Sequence, residues 1–208
     1  MHGLAGGPAD PFDSKRQAIL RHARDSFVSE GYAGTRIGPI AREAGVSTAT
    51  LYGLFDGKAR LFAAVIDAAA DEFARQTAWV RTIEGDARQQ LSRFGEAYAD
   101  FMSDPFVRAV FRLVTAERPR FQDVTRRFFD KGRATFGATL IAILIDLSRS
   151  GALGPIDRPS WAAGHLMGMI EHPVFFVPLV TGDEIKARRS NAEVVEDAVE
   201  TFLARYGT

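Results

Sequence analysis

Apolar residues recur at helical spacing along nearly the whole chain. Ile19, Ala23 and Phe27 repeat every fourth residue, the rhythm of one helix face. Ser14-x-x-Gln17 ahead of them is a capping-box pattern, and Gly31 after them is a stop signal. Together they predict a first helix from Ser14 to Gly31. Two short amphipathic helices follow, at about 36–43 and 47–54, joined by a turn at Gly45. Ile37, Ile40, Ala41 and Ala44 make the inner face of one. Leu51 and Phe55 make that of the other. A fourth helix starts near Asp56 and extends towards Trp79, with Leu61, Val65, Ala69 and Phe73 on one face.

The pattern continues in the second half. A fifth helix is predicted at about 86–103, with Leu91, Phe94, Tyr98 and Phe101 in a stripe. Asp104-Pro105 is a cap followed by a first-turn proline, so a sixth helix opens there and ends near Glu117. A long seventh spans about 119–150, burying Val124, Phe128, Phe136, Leu140, Ile143, Leu144 and Leu147. An eighth runs from about Pro159 to Leu179, strained by Pro173 and Pro178. The last opens on Ser190-x-x-Glu193 and buries Val195, Val199, Phe202 and Leu203. Nine helices without a strand signal predict an all-α chain. Its expected division is a mobile Gly- and Pro-rich arm at 1–12, a helix-turn-helix DNA-binding domain at 13–62, and a larger helical body at 63–208.

The two short helices and their glycine turn have the form of a DNA-reading pair, the second helix lying in the major groove. Over residues 16–65 the matching positions include Gly31-Tyr32, Thr35, Ile40-Ala41, Ala44-Gly45-Val46-Ser47, Thr50-Leu51-Tyr52, Phe55, Lys58 and Leu61-Phe62. In order and register this segment resembles the N-terminal domain of the TetR family of transcriptional regulators. The resemblance implies DNA contacts from Thr35, Arg36, Ser47, Thr48, Thr50, Tyr52 and Lys58. Short hydroxyls suit base edges and phosphates, and a cation at a helix N-terminus suits phosphate. The segment departs from the family at Thr48-Ala49, where many members have Lys-Gly, and at Gly53-Leu54, where many have His-Tyr. Asp56 stands where proline is common. The losses at 48, 53 and 54 remove phosphate contacts and imply a weaker electrostatic contribution to binding.

Charge supports a basic head. Residues 14–62 hold eight Lys/Arg and four acids, so they carry +4 within a chain of net charge zero, and the remainder carries −4. Such asymmetry suits a protein that docks one end on phosphates. The 46% hydrophobic share supports a sizeable core. Absence of cysteine excludes disulfides and thiolate chemistry. With four histidines and no paired ligand spacing, no metal and no cofactor are expected. No secretory leader is evident, and 134–147 is too short to span a membrane. A cytoplasmic protein is expected.

The body is dense in aromatic residues. Phe111 to Phe121, followed by Phe128-Phe129 and Gly132, resembles the C-terminal domain of AefR-like members of the same family. That resemblance implies a cavity between helices, with Phe94, Tyr98, Phe101, Met102, Phe111, Phe128, Phe129 and Met169 as candidate ligand contacts. Such a lining suits a small apolar or aromatic molecule. It also implies a homodimer built on the last two helices, for which Trp161, His165, Phe176, Val195, Val199 and Phe202 are the candidate interface. No enzyme motif is visible. The expected function is that of a repressor that binds a palindromic DNA operator as a homodimer and responds to a small-molecule effector. The alternative is a small-molecule-binding or sequestering protein with a vestigial DNA-binding head.

Overall fold

The computed structural model describes residues 11–79, 84–182 and 189–208. Among these the chain forms nine helical runs and no strand. They are α1 (Pro11–Gly34), α2 (Ile37–Glu43), α3 (Thr48–Leu54), α4 (Gly57–Gln76), α5 (Ala87–Ser103) and α6 (Pro105–Glu117). The seventh, α7, comprises Gln122–Gly132, a π turn at Arg133–Gly137, and Ala138–Arg149. The eighth, α8, comprises Pro159–Glu171, a π turn at His172–Phe176, and Val177–Thr181. The ninth, α9, is Asn191–Tyr206. Of the expected arm, only the last two residues lie within the described chain, and they open α1.

Helix starts follow local chemistry with one exception. Asp86 and Ser190 each close a capping box, with Gln89 and Glu193 respectively, which satisfies free N–H groups of the first turn. Ser14 does not cap. α1 begins three residues earlier, at Pro11, because a proline at the first helical position has no N–H to leave unsatisfied. At its other end the helical geometry breaks at Gly31 (φ 70°, ψ 173°) before a last turn to Gly34.

The chain divides into two compact units. One contains the residues up to Ala69 together with Leu113–Thr125. Its core is Ile19, Ala23, Phe27, Ile40, Leu51, Leu61 and Phe62, each 1% exposed or less. Phe27 meets Phe62 edge to face at 5.2 Å, and Phe121 stacks on Phe62 at 4.6 Å. That ring explains why Leu113–Thr125, expected in the body, belongs to the unit of the head.

The other unit holds Ala70–Arg112 and Arg126–Thr208. Its core joins α5, α7, α8 and α9 through Leu91, Phe94, Leu140, Leu144, Leu166, Ile170, Val195, Val199 and Phe202. α5 and α9 approach closely at Gly95, where an added Cβ would lie 2.7 Å from Val195 Cγ1 and 3.2 Å from Ile170 Cδ1.

The π turns settle a spacing problem. Phe128 and Phe136 are both buried, yet eight residues of α-helix would place them about 80° apart. The π turn between them absorbs one residue, so the effective spacing is seven and the two rings share a face to within about 20°. The hydroxyls of Thr135 and Thr139 donate to the carbonyls of Lys131 and Thr135, at 3.0 and 2.5 Å. In α8 the second π turn contains Pro173 and directly precedes Pro178's segment. The two prolines withdraw backbone donors, and the helix continues by widening instead of ending. By length and composition, Pro159–Thr181 is apolar enough to cross a membrane, and only 28% of its most apolar stretch is buried.

Candidate DNA-reading head and ligand cavity

The turn between α2 and α3 is fixed by backbone bonds. The N–H of Ala44 donates to Ile40 O at 2.9 Å, and that of Val46 to Ala41 O at 2.9 Å. Gly45 between them has φ 68°, a left-handed conformation that glycine adopts without steric cost. Ser47 then caps α3, its Oγ accepting from Thr50 N at 3.0 Å and lying 2.8 Å from Thr50 Oγ1. Leu51 and Phe55 are buried beneath, while Thr48, Ala49, Tyr52 and Gly53 are exposed.

The expected DNA contacts separate on this geometry. Arg36 precedes α2 with no side-chain cap bond and is exposed, as are Thr48 and Tyr52. Ser47 is exposed but its hydroxyl is shared with Thr50. Thr35 does not fit the expectation. It is 2% exposed, and its hydroxyl donates to Gly31 O at 2.7 Å and to Ser26 O at 3.1 Å. It ties the end of α1 to the start of α2 and presents nothing to a phosphate. Lys58 is half-buried, its Nζ donating to Ala33 O at 3.1 Å and lying 4.7 Å from the Tyr32 ring centre. Arg120 lies 4.9 Å from the same ring. Arg42, on the last turn of α2, is exposed. It was not singled out from the sequence, although its place one turn before the glycine was readable there.

The body contains a cavity of about 310 Å³. Of the expected contacts, Tyr98, Phe101, Met102, Phe111, Phe128 and Phe129 line it. Phe94 does not. It is wholly buried against Tyr98 and Phe136, with ring centres 6.1 and 6.0 Å away, so it is core. Met169 does not line the cavity either; Met167, two residues earlier on α8, does. A two-residue step rotates a helical side chain by about 200°. The first π turn supplies Arg133, Thr135, Phe136 and Gly137 to the wall, a contribution no periodicity argument exposes.

Two polar groups meet on the wall. Tyr98 Oη donates to Glu171 Oε2 at 2.8 Å. Burial, with the carboxylate beside it, pushes the Tyr98 hydroxyl well above the ordinary phenol range, so it remains a donor. Among the described residues no group of three or more potential metal ligands occurs.

The expected dimer residues also divide. Val195, Val199 and Phe202 are 2%, 0% and 1% exposed. Their stripe was correctly placed on the inner face of α9, but it packs on α5 and α8 of the same chain. They are not available to a partner. Trp161, at 63%, and Phe176, at 51%, are exposed, as is His165, whose Nδ1 lies 3.3 Å from Tyr206 Oη.

Residues 19–65 match the profile of bacterial regulatory proteins of the tetR family. Residues 89–208 match that of the AefR-like transcriptional repressor C-terminal domain. No curated protein sequence matches the chain. Among solved structures, a protein from Mesorhizobium loti described as a TetR-family transcriptional regulator is 28% identical, with a TM-score of 0.81, covering 96% of this chain and 100% of its own. A flavonoid-responsive regulator, FrrA, is 24% identical, with a TM-score of 0.74 over 94% of this chain and 98% of its own. FadR from Bacillus subtilis, solved with stearoyl-CoA, is 16% identical, with a TM-score of 0.68 over 91% and 98%. At those identities the last two likenesses concern the fold alone. With the C-terminal profile covering more than half its residues and the head matching as well, the chain belongs to the TetR family of transcriptional regulators, whose work is regulation and not catalysis.

Proposed function

We propose that the protein is a cytoplasmic, ligand-responsive repressor that binds a palindromic operator as a homodimer. The observation that carries this reading is the aromatic cavity of about 310 Å³ in the body of a chain whose head is a helix-turn-helix. Its size lies at the low end of the roughly 300–1,000 Å³ typical of small-molecule sites. The names of two fold relatives, one flavonoid-responsive and one solved with stearoyl-CoA, agree with a small organic effector. One recognition helix of seven residues touches few bases. Two of them, placed about 34–36 Å apart by a two-fold dimer, read a palindrome. Trp161, His165, Phe176 and Val180, exposed along α8, form the dimer face in this reading. Effector and operator then compete through a conformational equilibrium, and each weakens the other by the same factor.

A library thermal-shift screen paired with operator titrations tests the reading. Effectors should raise the melting temperature by mass action and lower operator affinity. Tight ligands that leave DNA affinity untouched would favour the sequestering protein instead. One observation supports that second reading. The hydroxyls of Ser47 and Thr50 bond each other, and Lys58 bonds Ala33 O, so three of the expected DNA contacts already have partners within the head. A salt-dependent gel shift on the chain's own promoter separates the two.

A further inference from the structure

Phe73, Phe101, Phe111, Phe128 and Phe136 make the cavity wall largely apolar, and Glu171 supplies its carboxylate, beside Tyr98. Tyr98 is 3% exposed, so the Glu171 oxygen that accepts its hydroxyl faces the interior side of the wall. A carboxylate offers about four acceptor positions, and Tyr98 occupies one. Among the described residues no cation lies within ion-pair distance of Glu171. Two cations also belong to the lining. Lys131 pairs with Asp71, both side chains being over 40% exposed. Arg133 is exposed, its guanidinium carbon 5.9 Å from the centre of the Phe129 ring. The buried Arg108 donates to the carbonyls of Met102, Ser103 and Val174 and does not line the cavity. Glu171 is therefore the half-buried carboxylate of the lining, without an ion-pair partner among the described residues.

An anion beside an aromatic box selects for a particular guest. A carboxylate in partly desolvated surroundings gains most from a charged donor. Phe101, Phe111 and Phe128 add ring faces that attract cations and repel anions. Resting on the reading of this cavity as the effector site, we propose that the effector is an organic cation, an apolar or aromatic body bearing a protonated amine that seats on Glu171.

Three matched probes test this: 4-phenylbutylamine, 4-phenylbutanol and 4-phenylbutanoate, titrated calorimetrically into the full-length protein at neutral pH. The amine should bind about tenfold or more tighter than the alcohol, and the carboxylate weakest. Glu171→Gln keeps an acceptor for Tyr98 and should erase the amine's advantage over the alcohol. Far-UV circular dichroism and melting temperature establish that the variant is folded, and Glu171→Asp should restore part of the preference. The inference is overturned if the alcohol or carboxylate binds the wild type as well as the amine. It is overturned equally if the advantage survives Glu171→Gln, or if none of the three binds at millimolar concentration. Operator titration with each probe keeps the two readings apart. Amine preference without a change in DNA affinity retains the ligand class and removes the sensor. A response to the alcohol alone retains the sensor and removes the cation.

Discussion

Replacing Gly95 by alanine isolates one close helix contact and has a calculable sign. Alanine normally stabilises a helix interior by about 1 kcal/mol relative to glycine. Here the new methyl would sit 2.7 Å from Val195 Cγ1 and 3.2 Å from Ile170 Cδ1, against an ordinary carbon separation of about 3.5–4.0 Å. Neither neighbour has room to retreat, since Val195 is 2% and Ile170 0% exposed, and a β-branched valine has few rotamers in a helix. Overpacking of this kind costs about 1–3 kcal/mol, so Gly95→Ala should be destabilising by up to about 2 kcal/mol. Gly132 provides the control: it is helical and exposed, with nothing within 4 Å of an added Cβ, and Gly132→Ala should stabilise by up to about 1 kcal/mol. Urea unfolding followed by circular dichroism measures both, with transitions resolved separately if the two units unfold independently. Adding Val195→Ala to Gly95→Ala should relieve the clash, giving a favourable coupling of about 0.5–3 kcal/mol. Close packing at Gly95 is refuted if Gly95→Ala stabilises as much as Gly132→Ala, or if the double variant is strictly additive.

Other expectations follow from single residues. Lys58→Ala should reduce the salt dependence of operator binding by about one unit per protomer; an unchanged slope, read by anisotropy titration, would make Lys58 an internal tether to Ala33. Trp161→Glu should convert a dimer to folded monomers by light scattering. Phe202→Glu should instead unfold the body, because that ring is 1% exposed; folded Phe202→Glu monomers would contradict its placement. Thr35→Val should cost about 0.5–1.5 kcal/mol of head stability, through loss of the hydroxyl's bonding to Gly31 O and Ser26 O, without altering the salt slope, and a changed slope would return Thr35 to the DNA contacts. Tyr98 titrates above its ordinary value of 10.0 in the folded protein, so the unfolded chain loses this proton first. The stability it contributes is complete below about pH 10 and falls as pH rises beyond it; Tyr98→Phe, melted across that range, should lack this component of the alkaline loss.

The helices were legible because their signals are local. Asp104-Pro105, Ser190-x-x-Glu193 and the Gly45 turn each act within a few residues, and the structure uses all three as start, cap and turn. Ser14 misled because Pro11 and Asp13 supply an earlier start within the same stretch. The apolar stripe of α9 was equally plain, but periodicity names the buried face and not the surface it meets. Val195, Val199 and Phe202 consequently looked like a seam between chains when they face α5. Thr35 carried the same ambiguity, since an exposed phosphate contact and a buried carbonyl tether require the same hydroxyl. The cavity was half legible. Its aromatic residues announce themselves, but Met167 and Glu171 enter it through the phase of α8, and Arg133–Gly137 enters through a π turn that no regular period predicts.

That turn also sets what lengths of chain the gene can tolerate. One residue removed from Arg133–Gly137 would let the segment close as ordinary α-helix, with little change in reach, about 1.5 Å. The register would survive, because seven residues of ordinary α-helix would then separate Phe128 from Phe136, the phase the π turn already imposes, and Leu140, Leu144 and Leu147 would stay on the buried stripe. In the loop between Arg149 and Pro159 the same deletion would disturb Leu153, which is 1% exposed with its N–H donating to Leu147 O, and Gly154, whose N–H donates to Tyr206 O. Single-codon deletions should therefore be tolerated within Arg133–Gly137 and purged from the α-helical turns on either side, where no π turn absorbs the change of phase.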